Sequence, residues 1–202
     1  MKVNEIFKSL QGEGGNQGKP CLFIRLAGCN LNCRWCDTPE SRSGGREMAA
    51  GAIAEEVRRA GIPYVCITGG EPLLQKKDLG LLLRLLKKDG ISVDIETNGT
   101  IGFMEIRPLA SICMDVKCPS SGEESDLSLI PKLRTGDSIK FVVGDETDCR
   151  YAQKVIRTCK IPCEMFVSPV FGTDYATIAK FIIENNLPVR MQLQLHKIIG
   201  MK

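Results

Sequence analysis

Three cysteines near the start of the chain have a spacing that suits metal binding. Cys29, Cys33 and Cys36 lie within one short segment, in the pattern CxxxCxxC. Thiolates are soft ligands that hold both zinc and iron–sulfur clusters. A cubane cluster has four irons, so three local thiolates leave one iron open to chelate a small molecule. The spacing predicts an iron–sulfur cluster with one open iron. A zinc site lacking its fourth ligand and ordinary core thiols are the alternatives.

The cysteine segment resembles the cluster loop of the radical SAM superfamily, whose open iron binds the amino and carboxylate groups of S-adenosylmethionine (SAM). As in that superfamily, an aromatic residue, Trp35, directly precedes the third cysteine. Residues 69–72, Gly-Gly-Glu-Pro, match a second superfamily element that contacts the methionyl ammonium of SAM. Glycines allow close approach of the backbone, and the acid Glu71 would neutralise the ammonium. Alone, this element could be a plain turn, but both motifs together indicate an enzyme that cleaves SAM to a 5′-deoxyadenosyl radical.

The composition is that of an ordinary globular domain and excludes several other classes of protein. The chain has 202 residues, 43% hydrophobic and 25% charged, with a formal net charge of +3. The basic residues are scattered, so direct nucleic-acid or membrane binding is not expected. No apolar run reaches the roughly 18–20 residues of a membrane helix, and the first residues lack the apolar core of a signal peptide. We therefore expect a cytoplasmic protein.

The remaining cysteines and the single histidine narrow the chemistry further. Seven of the ten cysteines lie outside the motif, and without an export signal they are expected to be reduced core or incidental thiols. A second cluster formed from them is the alternative. Because His196 is the only histidine, we do not expect the usual zinc sites or a histidine-based nucleophilic triad.

Short apolar runs alternate with helical stretches along the whole chain. The predicted strands are Cys21–Leu26, Tyr64–Thr68, Ser92–Glu96, Ile112–Val116, Ile139–Val143, Glu164–Val167 and Val189–Leu193. The predicted helices are Met48–Ala60, Lys76–Lys88, Thr147–Thr158 and Thr173–Glu184, with shorter ones over Phe103–Leu109 and Leu127–Leu133. This alternation predicts a parallel α/β sheet, open or closed into a barrel, with ligands at the carboxyl ends of its strands. Both motifs follow predicted strands and would meet there.

Further segments resemble one family within the superfamily, that of 7-carboxy-7-deazaguanine synthase. They are Leu-Gln-Gly-Glu-Gly at 10–14, Phe-Ile-Arg-Leu-Ala-Gly-Cys at 23–29, Cys-Asp-Thr at 36–38, Ile-Glu-Thr-Asn-Gly-Thr at 95–100 and Gln-Leu-His-Lys at 194–197. The resemblance runs from about Asn4 to Lys202. It implies an α/β fold, a partial (β/α) barrel of the radical SAM type with a reduced helix complement. We expect one such domain over residues 1–202.

The resemblance implies a carbon–nitrogen lyase of 7-deazapurine biosynthesis, which converts 6-carboxy-5,6,7,8-tetrahydropterin into 7-carboxy-7-deazaguanine with loss of ammonia. The implied cofactors are one 4Fe-4S cluster, SAM and Mg²⁺. An electron donor such as flavodoxin or ferredoxin and a homodimer are also implied.

The same resemblance assigns roles to individual residues. The cluster ligands are Cys29, Cys33 and Cys36. The implied SAM site comprises Trp35, Cys36, Asp37, Gly69, Gly70, Glu71, Gly99, Asp115, Val116, Lys117 and Ser168. The implied substrate site comprises Leu10, Gln11, Gly12, Glu13, Arg25, Thr97, His196 and Lys202, the last through its terminal carboxylate. Thr38 is the implied magnesium ligand.

Structural roles remain open for four of these residues. Arg25 could be a structural ion-pair partner inside its strand, and Thr38 before a proline could cap a helix. His196 could be a satisfied structural histidine, and Glu13 between two glycines could simply lie on a turn.

Two rival functions also stay open. One is a small radical SAM activase that forms a glycyl radical on a protein partner, against which the segments at 10–14 and 194–197 argue. The other is a non-catalytic zinc-binding module.

Overall fold

The computed structural model describes residues 1–201. The strands among them form one nine-stranded sheet. The strands are β1 (Lys2–Leu10), β2 (Pro20–Leu26), β3 (Arg46–Glu47), β4 (Tyr64–Gly69), β5 (Ser92–Thr97), β6 (Ser111–Lys117), β7 (Ser138–Val143), β8 (Glu164–Pro169) and β9 (Arg190–Met191). The order is β3-β1-β2-β4-β5-β6-β7-β8-β9. From β2 to β9 every neighbouring pair is parallel. The predicted α/β fold and the seven predicted strands are confirmed.

Strands β1 and β3 were not predicted from the sequence. Strand β1 runs antiparallel to β2, and β3 runs antiparallel to β1. Strand β1 mixes polar and apolar residues without strict alternation, Lys-Val-Asn-Glu-Ile-Phe-Lys-Ser-Leu, and most of them are only partly buried. Such a strand lacks the continuous apolar run that identifies a buried parallel strand in a sequence, and it was therefore not predicted.

The helices cover one face of the sheet. They are α1 (Ala50–Ala60), α2 (Lys76–Lys88), α3 (Glu146–Thr158), α4 (Tyr175–Glu184) and the short α5 (Leu195–Ile199). Short 3-10 helices span Pro39–Arg42, Pro72–Gln75, Pro119–Ser121 and Leu127–Lys132. The four longer predicted helices are confirmed within about two residues at either end.

The short helix predicted over Phe103–Leu109 is wrong, and the one over Leu127–Leu133 is a 3-10 helix instead. In the first segment the Ile106 and Leu109 N–H groups make i-to-i+3 hydrogen bonds, and only the Arg107 N–H makes an i-to-i+4 bond. Pro108 cannot donate to an α-helical ladder. The crossovers from β5 to β6 and from β6 to β7 therefore carry no α-helix in the described structure. This is the reduced helix complement that was expected.

Alternation along the strands separates two kinds of surface. On β4 to β7, one face is apolar and packs against the helices, with Ile67, Ile95, Met114 and Phe141 fully buried. Because successive side chains of a strand point to opposite faces, the neighbours of these residues share the inner face. They are Cys66, Glu96, Asp115 and Lys140. The inner face of the sheet is therefore charged where the outer face is apolar.

The loop between β1 and β2 meets the chain after β9 and so joins the two halves of the sheet. The side-chain amide of Gln192 accepts a hydrogen bond from the Gly14 N–H at 2.7 Å and donates one to the Gly14 carbonyl at 3.0 Å. The Leu195 N–H donates to the Gly12 carbonyl at 3.1 Å. These bonds bring the Leu-Gln-Gly-Glu-Gly segment and the Gln-Leu-His-Lys segment to the same place. Within residues 1–201, no helix is long and apolar enough to span a bilayer.

Candidate active site

A cavity of about 440 Å³ opens at the carboxyl ends of the parallel strands, where the sequence placed the ligands. The predicted site residues that line it are Leu10, Gln11, Gly12, Glu13, Arg25, Cys29, Cys33, Trp35, Cys36, Asp37, Thr38, Gly69, Gly70, Thr97, Asp115, Lys117 and His196. Four other predicted residues, Glu71, Gly99, Val116 and Ser168, are absent from its lining. Lys202 lies outside the described residues.

The three motif cysteines are free, half-buried thiols at the cavity wall. Burial raises the pKa of the Cys33 thiol, and the nearby Lys117 ammonium works in the opposite direction. Among residues 1–201, no three Cys, His, Asp or Glu side chains are arranged to hold a single metal ion. The donor set is three thiols of one loop, and soft thiolates are the ligands that iron–sulfur clusters take.

The cysteine loop is braced from two sides. The Arg42 guanidinium donates to the Cys33 carbonyl at 3.0 Å. On the other side, the Trp35 indole N–H donates to the Ser120 hydroxyl at 2.9 Å, and the Ser120 N–H donates to the fully buried Asp148 carboxylate at 2.8 Å. These contacts tie the loop to helix α3 and give the three thiols a fixed framework.

The two glycines of the Gly-Gly-Glu-Pro element allow the β4 loop to lie directly against the cysteine loop. Gly69 has φ of 140°, which favours glycine. A Cβ on Gly70 would lie 2.0 Å from the Gly28 carbonyl oxygen and 2.9 Å from the Cys29 Cβ. The Glu71 N–H donates to the Gly28 carbonyl at 2.7 Å. Absence of side chains here permits contact between the two motifs, as well as the close approach of a ligand.

The expectation that Glu71 neutralises the SAM ammonium needs correction. Its carboxylate is fully buried and accepts hydrogen bonds from the Thr97 hydroxyl at 3.0 Å and the Asn98 N–H at 2.7 Å. Burial raises the pKa of Glu71, and these bonds oppose that rise. Glu71 therefore fixes the end of β5 against the glycine element, and the backbone of Gly69 and Gly70 is what faces the cavity.

Three other predicted residues have structural positions. Gly99 takes a left-handed turn with φ of 71°, where a Cβ would meet Met114 at 2.6 Å. Val116 is fully buried in the outer core, and the Ser168 hydroxyl donates to the Gln192 carbonyl at 2.8 Å. None of the three lines the cavity, so their assignment to the SAM site stays a prediction from the sequence.

A compact group of charges lies on the inner face below the cysteines. Lys140 forms ion pairs with Glu13 and, at 3.2 Å, with Asp115, which also pairs with Lys117 at 2.9 Å. Burial alone would lower the pKa of Lys140, but the surrounding carboxylates raise it well above its ordinary value. Burial likewise opposes ionisation of Asp115, yet the two ammonium groups lower its pKa. Glu13 is thus a buried ion-pair partner and does not lie on a plain turn.

One acceptor in this group has room for a ligand. The buried Asp115 Oδ1 atom accepts no hydrogen bond from the described residues, although Lys140 Nζ lies 3.2 Å away. The Lys140 ammonium pairs with this carboxylate, and a carboxylate oxygen can accept more than one donor. SAM carries hydroxyl and ammonium donors, so the residues present fit this ligand beside the thiols that fit a cluster.

The substrate side of the cavity contains Arg25, which pairs through Nε with Glu5 at 2.8 Å and lies over the Phe7 ring. The ion pair that was an alternative for Arg25 is therefore present, but the side chain also lines the cavity. His196 packs on Gly12 so closely that a Cβ there would lie 2.1 Å from its Nδ1 atom. Burial lowers the pKa of His196, and the Glu13 carboxylate opposes this change.

Thr38 lies beside Asp37 at the mouth of the cavity. Its hydroxyl donates to the Asp37 carboxylate at 3.2 Å, and it precedes the 3-10 helix Pro39–Arg42 without a side-chain capping bond. The capping role that was open for Thr38 is therefore not taken up, and its hydroxyl lies beside the Asp37 carboxylate.

Several lining residues were not predicted as site residues, among them Thr68, Glu96, Asn98, Lys140, Phe171, Gln194 and Lys197. For Lys140 the sequence held a signal: a lysine in the otherwise apolar strand Ser-Ile-Lys-Phe-Val-Val. Charged residues are rarely buried unless they are paired, so such a lysine indicates a buried counter-ion.

Comparisons with known proteins agree with this geometry. Residues 23–113 match the Radical SAM superfamily. A 7-carboxy-7-deazaguanine synthase of Methanospirillum hungatei is 55% identical over 206 aligned positions, which cover 100% of this chain and 86% of that protein. Another from Koribacter versatilis is 39% identical and covers 98% of this chain and 96% of that protein.

Two solved structures share the fold. The crystal structure of QueE from Escherichia coli superposes with a TM-score of 0.80 at 28% identity, covering 96% of this chain and 94% of that one. SuiB of Streptococcus suis, bound to the precursor peptide SuiA, has a TM-score of 0.64 at 15% identity and covers 88% of this chain and 50% of its own. The second likeness concerns the fold alone. The chain belongs to the 7-carboxy-7-deazaguanine synthase family of the radical SAM superfamily.

Proposed function

We propose that this protein converts 6-carboxy-5,6,7,8-tetrahydropterin into 7-carboxy-7-deazaguanine and ammonia, in the biosynthesis of queuosine- or archaeosine-type 7-deazapurines. One observation carries the proposal: a single cavity brings together the cysteine loop, the glycine element and the two segments at 10–14 and 194–197. The first two belong to radical SAM enzymes in general, whereas the last two are particular to this family. The reaction class is that of a carbon–nitrogen lyase, carried out by one domain over residues 1–202.

The cofactors are one 4Fe-4S cluster and SAM, as membership of the superfamily implies. Cys29, Cys33 and Cys36 would hold the cluster, and SAM would lie along Gly69 and Gly70. When bound, these cofactors supply the radical that starts the reaction. The protein orients the substrate and shields the cavity from water.

The substrate would bind on the opposite wall of the cavity. The planar guanidinium of Arg25 suits a carboxylate, and Glu5 holds it through Nε so that its orientation is preset. Gln11, Glu13 and Thr97 would hydrogen-bond the pterin ring, while His196 would close the pocket beside Gly12.

We propose Mg²⁺ at the cavity mouth, bound by Thr38 and bridging to the substrate carboxylate. Magnesium prefers hard oxygen ligands and keeps several waters, so a few protein oxygens suffice. Thr38 and Asp37 supply two such oxygens in contact with each other.

The experiment that tests the function is anaerobic incubation of reconstituted protein with SAM, a reductant and the tetrahydropterin, with and without Mg²⁺. We expect 5′-deoxyadenosine, ammonia and 7-carboxy-7-deazaguanine, identified by mass. Cleavage of SAM without any pterin product, together with a glycyl radical on an added protein, would instead favour the activase. A colourless preparation that contains only zinc would favour the binding module.

Partners and location form a further part of the proposal. An electron donor such as flavodoxin or ferredoxin would reduce the cluster, and the protein would act as a homodimer in the cytoplasm. Its ten free cysteines support a reducing compartment. Its substrate is a free small molecule, so no direct contact with nucleic acid or membrane is required.

A further inference from the structure

Glu96 is an acidic residue of the cavity wall that has no function in cofactor or substrate binding as proposed above. It stands near the carboxyl end of β5, directly before Thr97, on the inner face of the sheet. Its Oε1 atom accepts a hydrogen bond from the Gln11 amide at 3.3 Å, and its Oε2 atom accepts one from the Thr68 hydroxyl at 3.1 Å. Glu96 therefore contacts Gln11 and directly precedes Thr97, two of the residues that would hold the pterin.

The proposed reaction, on which this inference rests, requires a proton-transfer group. The substrate has the composition of the product plus one ammonia, so the conversion involves no net oxidation. After the ring has contracted, one ring carbon must lose a proton, and the electron pair of that C–H bond becomes the new ring double bond. The C–N bond to the departing nitrogen breaks with its electron pair on nitrogen, which gains a proton to become ammonia.

We propose that Glu96 is the catalytic residue of this elimination: its carboxylate takes the ring-carbon proton and then delivers a proton to the departing nitrogen. The O–H bond that forms on Glu96 in the first transfer breaks in the second, so the residue ends as it began. No oxidant or further co-reactant is needed.

The hydrogen bonds distinguish Glu96 from the other carboxylates of the cavity. Glu13 pairs directly with Lys140, and Asp115 contacts two ammonium groups within 3.2 Å. The two ammonium groups lower the pKa of Asp115 and make it a weaker base, while the Glu13 carboxylate is already engaged by the Lys140 ammonium. In the described structure, the hydrogen bonds to Glu96 come only from neutral groups, the amide of Gln11 and the hydroxyl of Thr68.

The charges around Glu96 favour a proton acceptor that works near neutral pH. The titratable groups that face it are Cys21 of β2, Cys66 of β4, Asp94 of its own strand, Cys113 and Asp115 of β6, Lys140 of β7 and Glu13 of the β1–β2 loop. Burial raises the pKa of Glu96; the Lys140 ammonium lowers it, and Glu13 and Asp115 raise it again. A carboxyl group with a raised pKa exchanges protons more effectively near neutrality.

The test compares Glu96→Gln with Asp94→Asn. Asp94 lies on the same strand and the same face, and it accepts hydrogen bonds from the Tyr64 hydroxyl at 2.6 Å and the Asn16 amide at 2.7 Å. It is absent from the lining of the active-site cavity. Both changes replace a carboxylate by an amide of nearly the same shape, and only the first removes the proposed base. A third variant, Glu96→Asp, keeps the carboxylate.

Each reconstituted protein is given SAM, reductant and pterin deuterated at C6. For Glu96→Gln we expect iron content, pterin affinity and deuterium transfer into 5′-deoxyadenosine to stay near the wild-type values. Product formation should fall by roughly a hundredfold to ten-thousandfold, the usual contribution of general acid–base catalysis. Glu96→Asp should recover part of the rate with an altered pH profile of kcat, and Asp94→Asn should match the wild type.

Product formation by Glu96→Gln at the wild-type rate, with an unchanged pH profile, would overturn the inference while leaving the proposed function intact. Loss of pterin affinity in Glu96→Gln would overturn it as well, because the residue would then serve binding alone. If Glu96→Gln does not fold, the rate and the pH profile of product formation by Glu96→Asp test the proposal instead. A rate and a pH profile equal to those of the wild type would contradict a catalytic role. Absence of pterin product from the wild-type protein itself would refute the proposed function, a result distinct from the others.

Discussion

Replacing Gly70 with alanine would drive a methyl group into the cysteine loop. The added Cβ would lie 2.0 Å from the Gly28 carbonyl oxygen and 2.9 Å from the Cys29 Cβ. Favourable contacts between carbon atoms lie at about 3.5–4.0 Å, so the two loops must separate by roughly 1 Å. Neither neighbour is the free end of a flexible side chain, and therefore backbone has to move.

We expect this movement to impair the SAM site more than the fold. Overpacking of this kind costs typically 1–3 kcal/mol of stability, which a domain of this size tolerates. A misplacement of about 1 Å in a reacting site costs on the order of a hundredfold in rate. The Gly70→Ala protein should therefore fold, while its SAM affinity and its SAM cleavage fall together.

The measurements are the iron content per chain, the equilibrium affinity for SAM and the rate of 5′-deoxyadenosine formation, all under anaerobic conditions. Gly80→Ala is the matched control. Gly80 lies inside helix α2, where the nearest atom to an added Cβ is the end of Arg84 at 3.7 Å. Alanine there should raise stability by up to ~1 kcal/mol without change in SAM affinity. Wild-type SAM affinity and cleavage in Gly70→Ala would refute the idea that the two motifs are in contact.

Three further predictions concern the cysteines, the arginine and the histidine. Cys33→Ala should abolish SAM cleavage and lower the iron content. Cys66→Ala removes a fully buried thiol of the inner face; it should keep the cluster and lower the free energy of unfolding by ~1 kcal/mol in a denaturant titration. Equal iron loss in both variants would contradict the assignment of ligands. Arg25→Ala should leave the cluster spectrum intact and weaken pterin binding about ten- to a hundredfold, the loss of a charge-assisted contact of ~1.5–3 kcal/mol; unchanged affinity in a substrate titration would show that Arg25 serves only Glu5. For His196, an NMR titration of the single histidine should give a pKa below the ordinary 6.5. With such a pKa, the unfolded chain takes up the proton before the folded chain does as pH falls. The stability that neutral His196 contributes is therefore present above pH 6.5 and is lost as pH falls through the folded pKa. A measured pKa above 6.5 would reverse the sign of this pH dependence.

The order of strands and helices could be predicted from the chain because it depends on local pattern. Buried parallel strands carry continuous apolar runs, and amphipathic helices repeat every three to four residues. Strand β1 was not predicted because it mixes polar and apolar residues and pairs antiparallel near the margin of the sheet. The segment Phe103–Leu109 was predicted as a helix because its composition permits one, but the short crossover to β6 leaves only turns. Local propensity yields to tertiary context in such places.

The candidate ligands of the cluster could also be predicted from the chain, because three thiols in one short loop are neighbours in any fold. What the sequence alone could not decide is which distant side chains meet and which way they point. Glu71 was expected to face SAM, yet hydrogen bonds from Thr97 and Asn98 turn its carboxylate into the protein. Lys140 and Glu13, 127 residues apart, meet inside the sheet. Such pairings follow from strand order and register, which place remote residues on one inner face, and only the tertiary structure decides them.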